Sequence, residues 1–139
     1  MTRVVKIGLV VAGCINLLFL MLHAVFPWLF NWKETLACLD LNNWAILQTF
    51  NIIVILMILA MTFFSFRYPS ELTSSTLGRP ISIVFSLFYF IRIVAEFVYF
   101  GYTGLASIVI IALCLIPALV YLLAAIGDRN ERRASHEAR

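Results

Sequence analysis

Residues 44–66, WAILQTFNIIVILMILAMTFFSF, contain no charged side chain. Because a helix rises about 1.5 Å per residue, a helix of this length crosses the roughly 30 Å hydrocarbon core of a bilayer. Three further segments are comparably long and apolar, at residues 5–29, 81–102 and 104–126. None of the four has the polar–apolar alternation of a membrane β-barrel. The sequence therefore predicts an all-α, polytopic membrane protein built as a bundle of four transmembrane helices.

The composition supports the same conclusion. The chain has 139 residues, of which 63% are hydrophobic and 12% are charged, whereas soluble domains are about 45–50% apolar and about 25% charged. A chain this short cannot bury so much apolar surface in one globular core, so lipid must be part of its solvent. The net charge of +3 is small, and the basic residues lie at chain ends and in loops, a pattern that favours membrane orientation over nucleic-acid binding.

Capping residues predict where the helices begin and end. Asn42 or Asn43 can cap the second helix by accepting a hydrogen bond from its free backbone N–H groups. Gly127 is expected to end the fourth helix, since glycine favours helix C-termini. Residues 1–127 would then form the transmembrane domain. Residues 128–139, DRNERRASHEAR, are expected to be a solvated, disordered cytoplasmic tail.

The lysines and arginines outside the spans predict the orientation of the bundle. With four spans, one side carries Arg3, Lys6, Arg67, Arg79, Arg129, Arg132, Arg133 and Arg139. Only Lys33 lies on the other side. Since cytoplasmic segments carry the excess of basic residues, both termini are predicted to be cytoplasmic. A three-helix arrangement would divide these charges between the two sides.

The connections between the spans carry signals of their own. In residues 31–43, NWKETLACLDLNN, apolar side chains recur at helical spacing, which is typical of a short amphipathic helix lying on the outer membrane surface. An irregular loop anchored by Trp32 explains the same stretch equally well. The link at 101–104, GYTG, is so short that the third and fourth helices must be antiparallel neighbours.

Two opposite charges interrupt the third span, in the stretch FIRIVAEFVYF at residues 90–100. Arg92 and Glu96 are four residues apart and therefore share one face of a helix. An arginine near the bilayer centre costs roughly 2.5–3.5 kcal/mol on insertion scales, and such charges usually face the protein interior or a water-filled cavity. We expect the pair to point into the bundle, with Arg92 near mid-membrane and Glu96 roughly 9 Å below the outer boundary.

Further polar residues are predicted at a similar depth, in the outer half of the bundle. His23 and Asn16 are seven residues apart, on one stripe of the first helix, and Gln48 and Asn51 share a face of the second. Tyr99 follows Glu96 by three residues. The predicted ligand-binding residues are Arg92, Glu96, His23, Asn51, Gln48 and Tyr99. The competing interpretation is structural: the ion pair is a clamp, and the amides are hydrogen-bonding links between helices.

The sequence contains no signature of catalysis or of metal binding. No nucleophile–base pair can be read from it, and Cys14, Cys38 and Cys114 are too far apart to indicate a zinc site or a disulfide framework. A single histidine within the spans is poor support for haem. We therefore expect no catalytic residue, no metal and no cofactor, and an enzyme is the interpretation that fits least.

The residues already singled out resemble a family of small bacterial four-helix integral membrane proteins of uncharacterised activity. The resemblance rests on His23-x-x-Phe26, Trp32, Asn43, Asn51, "LGR" at 77–79 and Arg92-x-x-x-Glu96-Phe97. It implies a multi-pass protein of the bacterial inner membrane. It implies no activity.

Two functional hypotheses follow from the sequence. In the first, the polar cluster binds or passes a small anion, a lipid head group or a quinone-like molecule, with Arg92 as its anchor while Glu96 and His23 tune or exchange protons. In the second, the protein is a structural or accessory subunit of a larger membrane complex, and the ion pair only locks the bundle. The lipid bilayer is the expected partner in both. The composition does not decide between a homo-oligomer and a larger complex.

Overall fold

A computed structural model describes the backbone of residues 2–137 and the side chains of residues 3–127, and six helices form within that part of the chain. The helices are α1 (Thr2–Leu29), α2 (Trp32–Thr35), α3 (Leu41–Arg67), α4 (Pro69–Ser74), α5 (Gly78–Val98) and α6 (Leu105–Glu137). The described residues include no strand. The predicted all-α fold is therefore confirmed.

Four of the helices are long and apolar enough to cross a membrane, as expected for an integral membrane protein. They cover Arg3–Leu29, Leu41–Arg67, Gly78–Val98 and Leu105–Gly127. Most of the large apolar side chains on them are exposed at the surface of the bundle. In water such a surface would be unstable, whereas in a bilayer it faces acyl chains.

The long helices pack in an uneven ring. The closest neighbours are α5 and α6, as the short link between them predicted, followed by α1 with α3 and α1 with α6. The fourth side of the ring is the most loosely packed, because the backbones of α3 and α5 stay apart along most of their described lengths, and the rings of Phe64 and Phe85 connect the two helices near the far end. The one-and-a-half-turn helix α4, which the sequence analysis missed, bridges the far end of this side by packing on α5, α6, α1 and α3.

Close backbone approach fixes the position of α4. A Cβ atom at Gly78 would overlap the backbone oxygen of Glu71. Leu72 and Thr73 on the same short helix are buried. Glycine is therefore the residue that lets α5 begin directly against α4.

The start of α3 differs from the prediction. The helix begins at Leu41, and its N-cap is Asp40, whose carboxylate accepts hydrogen bonds from the backbone N–H groups of Asn42 and Asn43. Asn42 and Asn43 thus lie in the first turn, and neither is the cap. Hydrogen bonds from the backbone and side chain of Asn43 lower the pKa of Asp40 below its ordinary value, so the cap stays ionised to a lower pH than an ordinary aspartate.

Two predicted helix ends were also wrong. Helix α5 ends at Val98, four residues early, because the chain reverses through Gly101 and Gly104, both at positive φ. Helix α6 does not end at Gly127, since its backbone stays helical to Glu137. The arginines, glutamates and alanines that follow Gly127 are good helix formers and outweigh the cost of about 1 kcal/mol for one internal glycine. Residues 138–139 lie outside the described part of the chain.

The first loop contains part of each alternative that the sequence left open. A single helical turn, Trp32–Thr35, forms within residues 31–43, and the chain then runs through turns to Asp40. Trp32 and Leu36 are half-buried, whereas Leu39 is exposed.

We call the end of the bundle that carries this loop and the 99–104 link the two-loop end.

Candidate functional site

The ion pair of α5 forms, and its two members have different surroundings. The Nη1 atom of Arg92 lies 2.8 Å from Oε2 of Glu96. The Glu96 side chain is only 3% exposed, whereas that of Arg92 is 31% exposed. The end of α5 at Val98 places Glu96 about 3 Å from the helix end along its axis, which is shallower than predicted.

Glu96 is held by the first turns of α6 as well as by its own helix. The hydroxyl of Ser107, which is fully buried, donates to Oε1 of Glu96 at 2.6 Å. The same hydroxyl oxygen accepts from the backbone N–H of Thr103 at 2.8 Å. Both oxygens of Glu96 are thus occupied within the protein. The carboxylate ties the end of α5 to the link and to the start of α6.

Arg92 retains unused donor capacity. One of its nitrogens is bonded to Glu96, and its other N–H groups have no hydrogen-bond partner among residues 3–127. The guanidinium carbon lies 4.6 Å from the centroid of the Phe100 ring, within the range of a cation–π contact. An arginine that is anchored on one side and free on the other can present its N–H groups to an acceptor oxygen.

His23 and Asn51 form a reciprocal pair between α1 and α3. The amide nitrogen of Asn51 donates to the backbone oxygen of His23 at 3.2 Å, so its amide oxygen faces Nδ1 of His23 at 3.1 Å as an acceptor. Nδ1 must then carry the proton. The neutral imidazole consequently has its acceptor nitrogen at Nε2, and the described residues offer that atom no hydrogen-bond partner.

Two cavities separate the His23–Asn51 pair from the Arg92–Glu96 pair. The loop-end cavity, of about 500 Å³, lies at the two-loop end and is lined by Phe19, His23, Phe26, Phe30, Arg92, Glu96, Phe100 and Thr103, together with Leu22 and Ile110. The mid-bundle cavity, of about 250 Å³, is deeper and is lined by Phe19, His23, Val54, Ile58, Phe88, Tyr89, Ile91, Arg92, Ala95 and Cys114. Phe19, His23 and Arg92 line both.

His23 and Arg92 stand at the same level of the bundle. Leu29 ends α1 and Val98 ends α5, so each of the two residues lies six positions, or about 9 Å along the axis, from the end of its helix. The walls around them are aromatic: the His23 and Phe26 rings lie 4.4 Å apart and the Phe26 and Phe30 rings 5.0 Å apart. The site therefore combines apolar walls with two polar groups at one depth.

Below the cavities, a buried hydrogen-bonded network joins all four long helices. Tyr89 on α5 donates to the amide oxygen of Asn16 on α1 at 2.6 Å. The amide nitrogen of Asn16 donates to the hydroxyl of Tyr121 on α6, also at 2.6 Å. The Tyr121 hydroxyl lies 2.7 Å from that of Ser65 on α3. We call these four residues the central network, and Asn16 is its fully buried centre.

The structure brings together four of the six predicted ligand-binding residues, namely Arg92, Glu96, His23 and Asn51. Gln48 is half-buried on α3 but lines neither cavity, and its side chain forms no hydrogen bond within the described part of the chain. Tyr99 is 83% exposed, because α5 ends before it and the backbone no longer keeps it on the face of Glu96.

The sequence analysis missed the partners supplied by α6. Ser107 holds Glu96, and Tyr121 lies in the central network. Their spacing offered one signal, since both residues interrupt an otherwise apolar span, and Tyr121 lies seven positions after Cys114 on the same stripe. Serine and tyrosine are common enough in membrane helices that this signal alone would not have identified them.

Nothing in the described residues groups three or more His, Cys, Asp or Glu side chains at metal-binding positions. Comparisons with protein-family models, with curated proteins and with solved structures find no match to the chain. The four apolar helices fit an integral membrane protein with a helical bundle fold.

Proposed function

We propose that this integral membrane protein binds a small quinone-like molecule in the loop-end cavity. Arg92 donates hydrogen bonds to an oxygen of the ligand ring in either redox form, and Nε2 of His23 accepts a hydrogen bond from the hydroxyl that the reduced, quinol form carries. The observation that carries the proposal is that these two residues line the same cavities at the same level while each retains unused hydrogen-bonding capacity.

The walls of the cavity favour a ring over the other two ligand classes that the sequence left open. Four phenylalanines line the loop-end cavity, namely Phe19, Phe26, Phe30 and Phe100, and aromatic rings pack well against a flat ring. A small anion would meet one arginine that is already shared with Glu96. A lipid head group, which is polar and strongly hydrated, would have to displace its water into an apolar chamber. The volume of about 500 Å³ lies in the range of small-molecule pockets.

The first test is the replacement of Arg92 by glutamine. A hydrogen bond from a charged donor contributes about 1.5–3 kcal/mol, so we expect Arg92→Gln to bind a quinone probe roughly 10- to 150-fold more weakly. The measurement is a titration of the purified protein in lipid nanodiscs with a benzoquinone bearing one isoprene unit. The matched control is Arg79→Gln, which removes an exposed arginine at the opposite end of the bundle.

Equal binding of the probe by wild type and Arg92→Gln, or no binding by wild type, would contradict the proposal. Because Arg92→Gln leaves Glu96 without its cation, helicity and thermal unfolding of the variant are compared with wild type. Arg92→Lys serves as a second variant that keeps the charge and loses the planar array of donors. Binding that falls in both variants at unchanged helicity is the expected result.

The structural or accessory-subunit function is the second candidate. It is favoured by one observation: no buried side-chain nitrogen or oxygen in the described residues lacks a hydrogen-bond partner, as a purely structural role for the polar groups requires. Under this function, wild type binds no probe, and the protein copurifies from mild detergent with a stoichiometric partner. The two results together would select it over ligand binding.

The proposed location is the bacterial inner membrane, with both termini in the cytoplasm. Arg3, Lys6, Arg67 and Arg79 lie at the end of the bundle opposite the two-loop end, whereas Lys33 lies in the first loop, and cytoplasmic ends are the basic ones. Cys38 in that loop is exposed. In intact spheroplasts, a membrane-impermeant maleimide should therefore label wild type and fail to label Cys38→Ser. Labelling of Cys38 only after the membrane is broken would reverse the orientation.

A further inference from the structure

We infer that the ligand reaches this site sideways, from within the bilayer, through the gap between α3 and α5, and that its hydrocarbon tail occupies the mid-bundle cavity. The inference rests on the proposed function and adds to it a ligand class and an entry route. The class is a membrane-dissolved quinone with an isoprenoid or alkyl tail, as distinct from a soluble aromatic molecule.

The gap between α3 and α5 is the most loosely packed side of the ring of long helices in the described chain. Every other adjacent pair packs directly, whereas α3 and α5 are joined at the far end, through α4 and through the Phe64 and Phe85 rings, whose centroids lie 6.2 Å apart. Val54 and Ile58 of α3 line one wall of the mid-bundle cavity, and Phe88, Ile91 and Ala95 of α5 line the other. The Phe64–Phe85 contact lies near the far end, so closer to the two-loop end the mid-bundle cavity lies beside a stretch where the backbones of α3 and α5 stay apart.

Exposure indicates that this stretch leads to the surface that faces lipid. Ile91 lines the mid-bundle cavity and is nevertheless 67% exposed. The residue therefore lies at a rim, with one side towards the cavity and the other towards the acyl chains. Since no charged residue other than Arg92 lines this cavity, a hydrocarbon tail can pass the rim without losing hydration.

The positions of the polar groups determine which part of the ligand lies where. His23 and Arg92 line both cavities and stand between them. The loop-end cavity above them is the larger and carries four phenylalanines, whereas the mid-bundle cavity is half its volume and bounded mostly by aliphatic and aromatic carbon. A ring held by Arg92 therefore lies in the loop-end cavity, and the narrower space below accommodates a chain that continues into lipid.

The test compares two probes on variants that narrow the passage. Wild type in nanodiscs is titrated with a benzoquinone bearing a decyl tail and with the same ring bearing only a methyl group. We expect the decyl probe to bind at least tenfold more tightly. Ala95→Trp fills the mid-bundle cavity and should remove this preference, with methyl-probe binding within about twofold of wild type. Val94→Trp is the matched control, because Val94 is 58% exposed, lines neither cavity and is adjacent in sequence.

A second variant distinguishes a narrowed passage from misfolding of Ala95→Trp. Val54→Trp narrows the same passage from α3 and should act like Ala95→Trp, and both are checked for helicity and unfolding temperature. Equal binding of the two probes by wild type, or a preserved tail preference in both folded tryptophan variants, would overturn the lateral route while Arg92-dependent binding of the ring left the proposed function standing. Failure of both probes to bind wild type would overturn the two together.

Discussion

Replacement of Asn16 by alanine is expected to lower the free energy of unfolding by about 2–4 kcal/mol. The side chain is fully buried and joins the Tyr89 and Tyr121 hydroxyls through two hydrogen bonds. Tyr121 keeps its contact with Ser65 in the variant, but Tyr89 loses its hydroxyl partner in an apolar interior. The loss of stability has three sources: the two broken hydrogen bonds, the Tyr89 hydroxyl left without a partner, and the cavity left by the amide. The free energy of unfolding is measured by following the loss of helicity during titration with a denaturing detergent.

Two further variants test whether the loss of stability comes from the hydrogen bonds of the central network or from any replacement of asparagine by alanine. Asn42→Ala makes the same chemical change at an exposed position of α3 and should alter stability by less than about 0.5 kcal/mol. Tyr89→Phe removes the stranded hydroxyl, so the double variant Asn16→Ala/Tyr89→Phe should be more stable than the sum of the single effects predicts. Strict additivity would mean that Asn16 and Tyr89 do not interact in the membrane.

Replacement of Glu96 by alanine is the second change with a large expected effect, a loss of about 2–4 kcal/mol of stability. Removing one member of a buried ion pair usually costs about 3–5 kcal/mol, and the figure here is reduced because the Arg92 side chain is 31% exposed. The variant also leaves the buried hydroxyl of Ser107 without its acceptor. Thermal unfolding in nanodiscs, followed by circular dichroism, is the measurement.

The source of that loss can be identified by removing the other partners. Ser107→Ala should reproduce a smaller part of it, about 1–2 kcal/mol, because only one hydrogen bond to a carboxylate is lost. Arg92→Ala/Glu96→Ala should be more stable than Glu96→Ala alone, since it leaves no unpaired cation. A double variant less stable than Glu96→Ala would show that the charge of Arg92 is satisfied without Glu96, and the clamp would then be wrong.

The two members of the ion pair are expected to have different roles. Glu96 has both oxygens occupied and is nearly inaccessible, so its removal should act on stability first. Arg92 faces two cavities, so its removal should act on binding first. The sequence placed both residues in one ligand-binding group. The structure instead separates a carboxylate that closes the hairpin of α5 and α6 from a guanidinium that faces the open space.

The four spans could be predicted from the sequence because the property that defines them is local. A run such as residues 44–66 must become a helix in hydrocarbon, where every backbone N–H and C=O needs a partner within the chain. The shared face of Arg92 and Glu96 follows equally from helical geometry. Helix ends depend on differences in helix propensity and capping of only about 1 kcal/mol per residue. Three of them were predicted wrongly: the cap of α3 at Asp40, the end of α5 at Val98 and the continuation of α6 past Gly127.

Tertiary structure alone decided which helices meet and which polar side chains find each other. Spacing put Gln48 and Asn51 on one face of α3, but only Asn51 reaches His23, because contact depends on where α1 crosses. Ser107 and Tyr121 of α6 became the partners of Glu96 and Asn16 through packing between helices distant in sequence. The gap between α3 and α5 has the same origin. Hydrophobicity commits each helix to the membrane, but it does not rank one apolar neighbour above another, and that choice is made by side-chain shape and a few buried hydrogen bonds.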